Sequence, residues 1–199
     1  MRSFRENSET IVKLIINQIG IAIFAFMLYT AAGSFKVDDP SATLLIKVLI
    51  SAFSMIFYFT LLYNIMWELG GKDKIRVDAG RLERKASKGF VIGLLANSLN
   101  LIILGTALLL LVINLITGID VFMNIFAVLN AIFRIFISMY LGVVMGITAF
   151  AEANTQLYYL IQTVGFIAFS FVSALVIHLS YLMGLNGVKI FSSSAKSKN

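Results

Sequence analysis

Two long apolar runs lie on either side of one strongly basic segment in this chain. The runs, 44–66 and 90–116, each exceed the roughly 20 residues with which an α-helix crosses a bilayer. The segment between them, 67–88, carries seven basic and four acidic residues. Because short loops rich in Lys and Arg stay on the cytoplasmic side, this pattern predicts two spans joined by a cytoplasmic loop. The N-terminus, two spans earlier, is then expected on the cytoplasmic side as well.

Composition extends this interpretation to the whole chain. Its 199 residues are 59% hydrophobic and only 13% charged, with a mean hydropathy of +0.93. A soluble domain of this length could not bury so much apolar sequence in one core. We therefore predict an all-α, polytopic transmembrane helical bundle that forms one integral membrane domain, 1–188, followed by a flexible basic tail, 189–199. The expected spans are 14–32, 44–66, 90–116, 135–151 and 157–183.

The stretch 119–151 leaves the number of spans open. Polar or small residues recur at helical spacing along 119–133, which predicts an amphipathic helix in the outer interface or one wall of a re-entrant hairpin: Asp120, Asn124, Ala127, Ala131 and Arg134. Two full spans need about 40 residues, and this stretch is shorter. Five spans plus the surface helix are favoured, which puts Lys189 outside. A hairpin that does not cross, or six spans, would return the tail to the side of the basic loop.

Glycine positions predict where helices end and where they pack. Gly70-Gly71 is expected to end the second span, and Asn186-Gly187 the last one. Small residues four apart let a second helix approach closely. Two such pairs predict helix packing surfaces: Gly89 with Gly93, and Gly142 with Gly146.

Polar residues inside apolar runs are the candidates for a solute site, because burying them is unfavourable without a role. The candidate polar cavity consists of Asn97, Asn100, Arg134 and His178. Arg134 could bind an anionic substrate or pair with Asp120 or Glu152; the simpler alternative is an interfacial arginine at lipid phosphates. His178 could relay protons, or could simply be a hydrogen-bonded interfacial side chain.

Several chemistries are disfavoured by residue usage. The chain has no cysteine and a single histidine, so no metal site and no cofactor is expected. It also lacks a recognisable nucleophile–base pair or glycine-rich phosphate loop, so we expect a protein that is not an enzyme. A lipid-modifying enzyme using Arg134 and His178 is the third-ranked alternative. The basic excess lies in a juxtamembrane loop, which favours anionic lipid headgroups over nucleic acid as its partner.

The basic loop is the predicted docking surface for lipid or for a membrane or cytoplasmic protein partner. Its cations are Lys72, Lys74, Arg76, Arg81, Arg84, Lys85 and Lys88. In size and span number the chain resembles the substrate-binding subunits of energy-coupling-factor vitamin transporters, and no site residue is carried over from that resemblance. The leading hypothesis is a solute-binding or transport-associated subunit of a bacterial cell membrane. The alternative is a structural or lipid-interacting membrane protein.

Overall fold

The computed structural model describes residues 2–34, 39–150 and 155–189. These residues form helices joined by short turns, and no strand occurs among them. The helices are α1 (Arg2–Ser34), α2 (Pro40–Asp78), α3 (Lys88–Ala96), α4 (Ser98–Thr117), α5 (Asp120–Phe136), α6 (Ser138–Ile147) and α7 (Gln156–Asn186).

The prediction of a helical membrane bundle is confirmed. Four stretches of the described chain are long and apolar enough to cross a membrane, within α1, α2, α4 and α7. A fifth crossing is possible if the bent pair α5–α6 counts as one span. Large apolar side chains face outwards along the bundle, for example Ile16, Ile56 and Ile102, each more than 60% exposed. Such a surface suits hydrocarbon and would be unusual in water.

Helix α2 includes the predicted span 44–66 but begins earlier, at Pro40, and ends much later, at Asp78. Asp39 caps it by accepting a hydrogen bond from the Ser41 backbone N–H at 2.8 Å. The predicted end at Gly70-Gly71 is wrong, because α2 continues through both glycines to Asp78. A methyl group on Gly70 would overlap the Tyr181 carbonyl oxygen of α7. The glycine therefore serves a close helix crossing, and the predicted loop 67–88 is helical over its first half.

The predicted third span, 90–116, is divided at Asn97 into α3 and α4. The Asn97 backbone N–H still donates to the Gly93 carbonyl at 3.1 Å, and Leu101 donates to the Asn97 carbonyl at 3.0 Å. The asparagine side chain bonds the Gly93 carbonyl as well, at 2.9 Å. The two helices thus follow one another with a local irregularity at a buried amide.

The stretch 119–151 contains the predicted amphipathic helix but no single fourth span. Helix α5 covers the predicted 119–133 and extends to Phe136. The predicted span 135–151 is wrong as one helix: α5 ends, the chain bends by 113° at Ile137, and α6 has only 10 residues. Ten helical residues extend about 15 Å, half the thickness of a hydrocarbon core of about 30 Å.

Contacts with neighbouring helices show the direction of each arm of this hairpin. Along α5, Phe126 packs against Tyr159 and Phe133 against Phe166, so α5 moves deeper beside α7 as the chain proceeds. After the bend, the Ser138 hydroxyl donates to the Ala22 carbonyl in the middle of α1. About two turns later, Met145 accepts a hydrogen bond from Tyr29 near the end of α1. The hairpin therefore enters and leaves at the same end of the bundle.

With this hairpin, α7 returns the chain to the end of the bundle that carries the basic segment. The Trp67 indole N–H donates to the Val188 carbonyl at 2.6 Å, and the Lys189 ammonium lies 5.0 Å from the Trp67 ring centre. Lys13 on α1 lies within electrostatic range of Glu68 on α2. The preferred five-span arrangement had put Lys189 on the opposite side. The other two lysines of the tail 189–199, Lys196 and Lys198, lie outside the described residues.

Candidate functional site

One end of the bundle carries a group of cations that we call the basic face. It comprises Lys72, Lys74 and Arg76 on the protruding part of α2, Arg81, Arg84 and Lys85 in the connection 79–87, and Lys88 at the start of α3. Lys72, Arg76 and Lys85 are each more than 60% exposed. Exposed cations on a helix that extends beyond the apolar span are accessible to headgroups and to protein partners.

Lys88 belongs to the interior and not to the exposed surface. Its ammonium lies 2.6 Å from Asp73 Oδ2, and the Tyr181 hydroxyl donates to the same oxygen at 3.0 Å. Asp73 is only 1% exposed, and Arg76 approaches its other oxygen at 4.0 Å. The carboxylate therefore joins α2, α3 and α7 under the basic face. Lys88 is predicted as a docking residue, but its bond to Asp73 makes it structural.

One further hydrogen bond joins the connection 79–87 to the end of α7. The Arg84 guanidinium donates to the Asn186 side-chain oxygen. Glycines add close packing at the same end: a methyl on Gly184 would overlap the Trp67 carbonyl oxygen. The exposed cations Lys72, Arg76, Arg81 and Lys85 are thus presented by a framework that is already ordered.

The predicted polar cavity does not form as one site. Arg134 bonds to Gln162 on α7, whereas His178 lies 178 − 162 = 16 residues further along that helix, about 24 Å away at 1.5 Å per residue. His178 instead packs edge-on against Phe90, with ring centres 5.9 Å apart. In the described part of the chain its buried Nδ1 has no hydrogen-bond partner, and neither do Asn97 Oδ1 and Asn100 Nδ2.

Arg134 lies in the last turn of α5. Its Nε donates to Asn130 Oδ1 and its Nη2 to Gln162 Oε1, each at 3.0 Å. Gln162 is 2% exposed, and its Nε2 has no hydrogen-bond partner among the described residues. The guanidinium is therefore held between the hairpin and α7 by two neutral acceptors.

A second cation lies in the same region. The Lys47 ammonium on α2 is 5.2 Å from the centre of the Tyr29 ring, and the charge of Arg134 also acts on Tyr29. We call Tyr29, Lys47, Asn130, Arg134 and Gln162 the far-end cluster, because they lie in the half of the bundle away from the basic face. Among the described residues no carboxylate lies within 4.0 Å of either cation. Asp120 does not pair with Arg134, and Glu152 falls outside the described residues.

The four glycines predicted to mediate packing all face another helix. A methyl group would lie 2.7 Å from the Tyr181 side chain at Gly89 and 2.8 Å from the Ala174 carbonyl oxygen at Gly93. At Gly142 it would overlap the Lys47 carbonyl oxygen, and at Gly146 it would lie 2.8 Å from Val48. Gly142 and Gly146 thereby fix α6 against the same part of α2 that carries Lys47.

The part of the chain that the structure describes contains no group of three or more His, Asp or Glu side chains placed to hold a metal ion. Comparisons with known protein families, curated proteins and solved structures found no significant match.

Proposed function

We propose that this integral membrane protein is a non-enzymatic, solute-binding or transport-associated subunit whose protein partner docks on the basic face. The observation that carries the proposal is the ordered presentation of Lys72, Arg76, Arg81 and Lys85 above a buried ion pair. A surface that is already ordered loses less conformational entropy when a partner binds, which favours docking.

The orientation follows from the positive-inside rule. Lys13, Lys189 and the cations of the basic face all lie at one end of the bundle. Lys and Arg near span ends are retained on the cytoplasmic side. We therefore place the basic face on the cytoplasmic side of a bacterial cell membrane, where a soluble or membrane-embedded partner with an acidic surface can reach it.

Two features of the backbone support a role in transport. The bend between α5 and α6 and the irregularity at Asn97 both interrupt long apolar helical stretches. Irregular backbone at membrane depth is tolerated only where protein buries it or where it lines a polar cavity. Discontinuous helices of this kind are common around the solute sites of transporters.

The docking proposal is tested by removing exposed charge without touching the internal bonds. In the variant Arg81→Gln/Lys85→Gln, Arg84 and Lys88 keep their bonds to Asn186 and Asp73. We expect a partner co-purified stoichiometrically with the gently extracted wild type to be lost, with affinity at least tenfold lower, because charge complementarity steers such contacts. Native mass spectrometry of the extracted complex measures this.

The matched control removes the same charge from the same end of the bundle. Lys13 and Lys189 are both exposed and lie outside the connection 79–87. The variant Lys13→Gln/Lys189→Gln should retain the partner. Equal loss from both double variants, or no partner on the wild type, would contradict docking at this surface and favour a protein that only contacts anionic headgroups.

A further inference from the structure

We propose that the far-end cluster binds an anionic phosphate or carboxylate group, with Arg134 and Lys47 as its cationic ligands and Gln162 as a neutral donor. This inference deepens the solute-binding part of the proposed function and rests on it only there. Docking on the basic face is a separate matter, at the other end of the molecule.

The cluster has an excess of hydrogen-bond donors. A guanidinium carries five N–H groups in a fixed plane, and Arg134 uses two of them, on Asn130 and Gln162. Among the described residues the other three N–H groups have no acceptor and remain for a ligand. Within the same residues the buried amide nitrogen of Gln162 makes no hydrogen bond, and the Lys47 ammonium lies over the Tyr29 ring. These donors are therefore available to an added acceptor.

The charges make the missing acceptor an anion. An uncompensated cation in a membrane-spanning region is unfavourable, because its lost hydration is not replaced by an opposite charge. Here two cations act on the same side chain, Tyr29, and no described carboxylate pairs with either. A phosphate or carboxylate between them would neutralise charge and accept the free N–H groups. Arginine is well suited to this because its planar fork binds two oxygens at once.

The arrangement also argues against an arginine that merely reaches lipid. Arg134 is half-buried and bonded to two helices, so its guanidinium is fixed in place. Four elements contribute to the cluster: α1, α2, α5 and α7. Gln162 lies six residues into α7, about 9 Å from its start. An anion can therefore enter from the membrane surface at this end, either free in solution or as the headgroup of a lipid.

The test uses the purified full-length protein in neutral detergent and two probes that share a phosphate. One is glycerol 3-phosphate, and the other is phosphatidylglycerol in mixed micelles. We expect saturable binding of at least one probe by isothermal titration calorimetry. Binding of both would identify a soluble anion as the ligand, and binding of the lipid alone would identify a headgroup; either result supports the site.

Variants locate the binding. Arg134→Gln should weaken it at least tenfold, and Arg134→Lys less, because lysine keeps the charge but lacks the fork. Lys47→Gln tests the site independently if Arg134→Gln does not fold, because the Lys47 ammonium lies over the Tyr29 ring and forms no hydrogen bond within the described part of the chain. Arg81→Gln/Lys85→Gln should bind like the wild type.

Three results would overturn the proposal: no saturable binding of either probe, wild-type affinity in both Arg134→Gln and Lys47→Gln, or an equal loss in the basic-face variant. No protein partner is present in this assay, so a failure to bind the anion would not bear on docking at the basic face. Equally, a failure of docking would not bear on anion binding.

Discussion

At the scale of single residues, the most consequential side chain is the carboxylate of Asp73, which lies within the basic segment 67–88. Asp73 is 1% exposed and bonds to Lys88 and Tyr181. Its partners lie 15 and 108 residues away, so no local pattern points to them. Burial of a paired charge is tolerated, but removal of one partner leaves the other unpaired.

Asp73→Asn is therefore expected to lower the free energy of unfolding by about 3 kcal/mol, since breaking a buried pair from one side is typically worth about 3–5 kcal/mol. Adding Lys88→Met should recover part of this loss, because the unpaired ammonium is then gone. Unfolding in mixed micelles, titrated with denaturing detergent, measures both variants.

The matched control is the exposed pair of Lys72 and Glu68, which is equally short at 2.6 Å. Both side chains are more than 60% exposed, so Glu68→Gln should leave the unfolding midpoint unchanged. Similar destabilisation by Asp73→Asn and Glu68→Gln would show that the buried pair has no special role.

At the scale of helices, glycine patterns were informative about packing and misleading about helix ends. The sequence identified Gly89, Gly93, Gly142 and Gly146 as packing positions, and each lies against another helix. A glycine pair such as Gly70-Gly71 is also typical of the end of a helix. Only the approach of α7 makes Gly70 a crossing point, and that approach depends on Gly184, which is more than 100 residues away in sequence.

The adjacent glycines Gly70 and Gly71 give a matched pair of substitutions. Gly70→Ala should destabilise the protein by about 1–3 kcal/mol, the usual range for overpacking, because its methyl overlaps the Tyr181 carbonyl. Gly71→Ala should be neutral or stabilising by up to about 1 kcal/mol, because nothing lies within 4 Å of its added methyl. The same detergent titration measures both, and equal effects would contradict the helix crossing.

The turn of the hairpin shows why its position could not be predicted. Polar spacing along 119–133 indicated the amphipathic helix, but the bend falls at Ile137, an apolar residue with no glycine or proline beside it. The bend is supported by tertiary contacts, including Ser51, whose hydroxyl donates to the Met139 carbonyl at 2.6 Å. Contacts between distant segments therefore determine where the chain reverses.

At the scale of the whole molecule, hydropathy was sufficient for the class of fold and insufficient for the topology. The long apolar runs and the end of α7 at Gly187 were accessible from the sequence. The number of crossings could not be predicted from the sequence, because a half-length hairpin and a short span have similar composition. The far-end cluster was only partly foreseeable: Arg134 was a candidate, but Lys47 and Gln162 join it through the packing of separate helices.

The contacts of α7 remove a conflict between charge and span count. Five crossings separate Lys189 from the basic loop, whereas four crossings and a re-entrant hairpin place it beside Trp67. The cations at this end of the bundle, on α1, α2, α3 and α7, then all lie on the same side of the membrane. This agrees with the positive-inside rule.

Side-specific labelling of single cysteines tests this topology most directly, since the natural chain contains none. Four variants each carry one cysteine at an exposed position, and each is prepared in right-side-out and in inverted membrane vesicles: Arg81→Cys, Lys189→Cys, Ser41→Cys and Asp120→Cys. We predict that a membrane-impermeant maleimide labels Arg81→Cys and Lys189→Cys from one side, and Ser41→Cys and Asp120→Cys from the other. Labelling of Lys189→Cys from the side opposite Arg81→Cys would contradict the four-crossing topology and the re-entrant hairpin on which it depends.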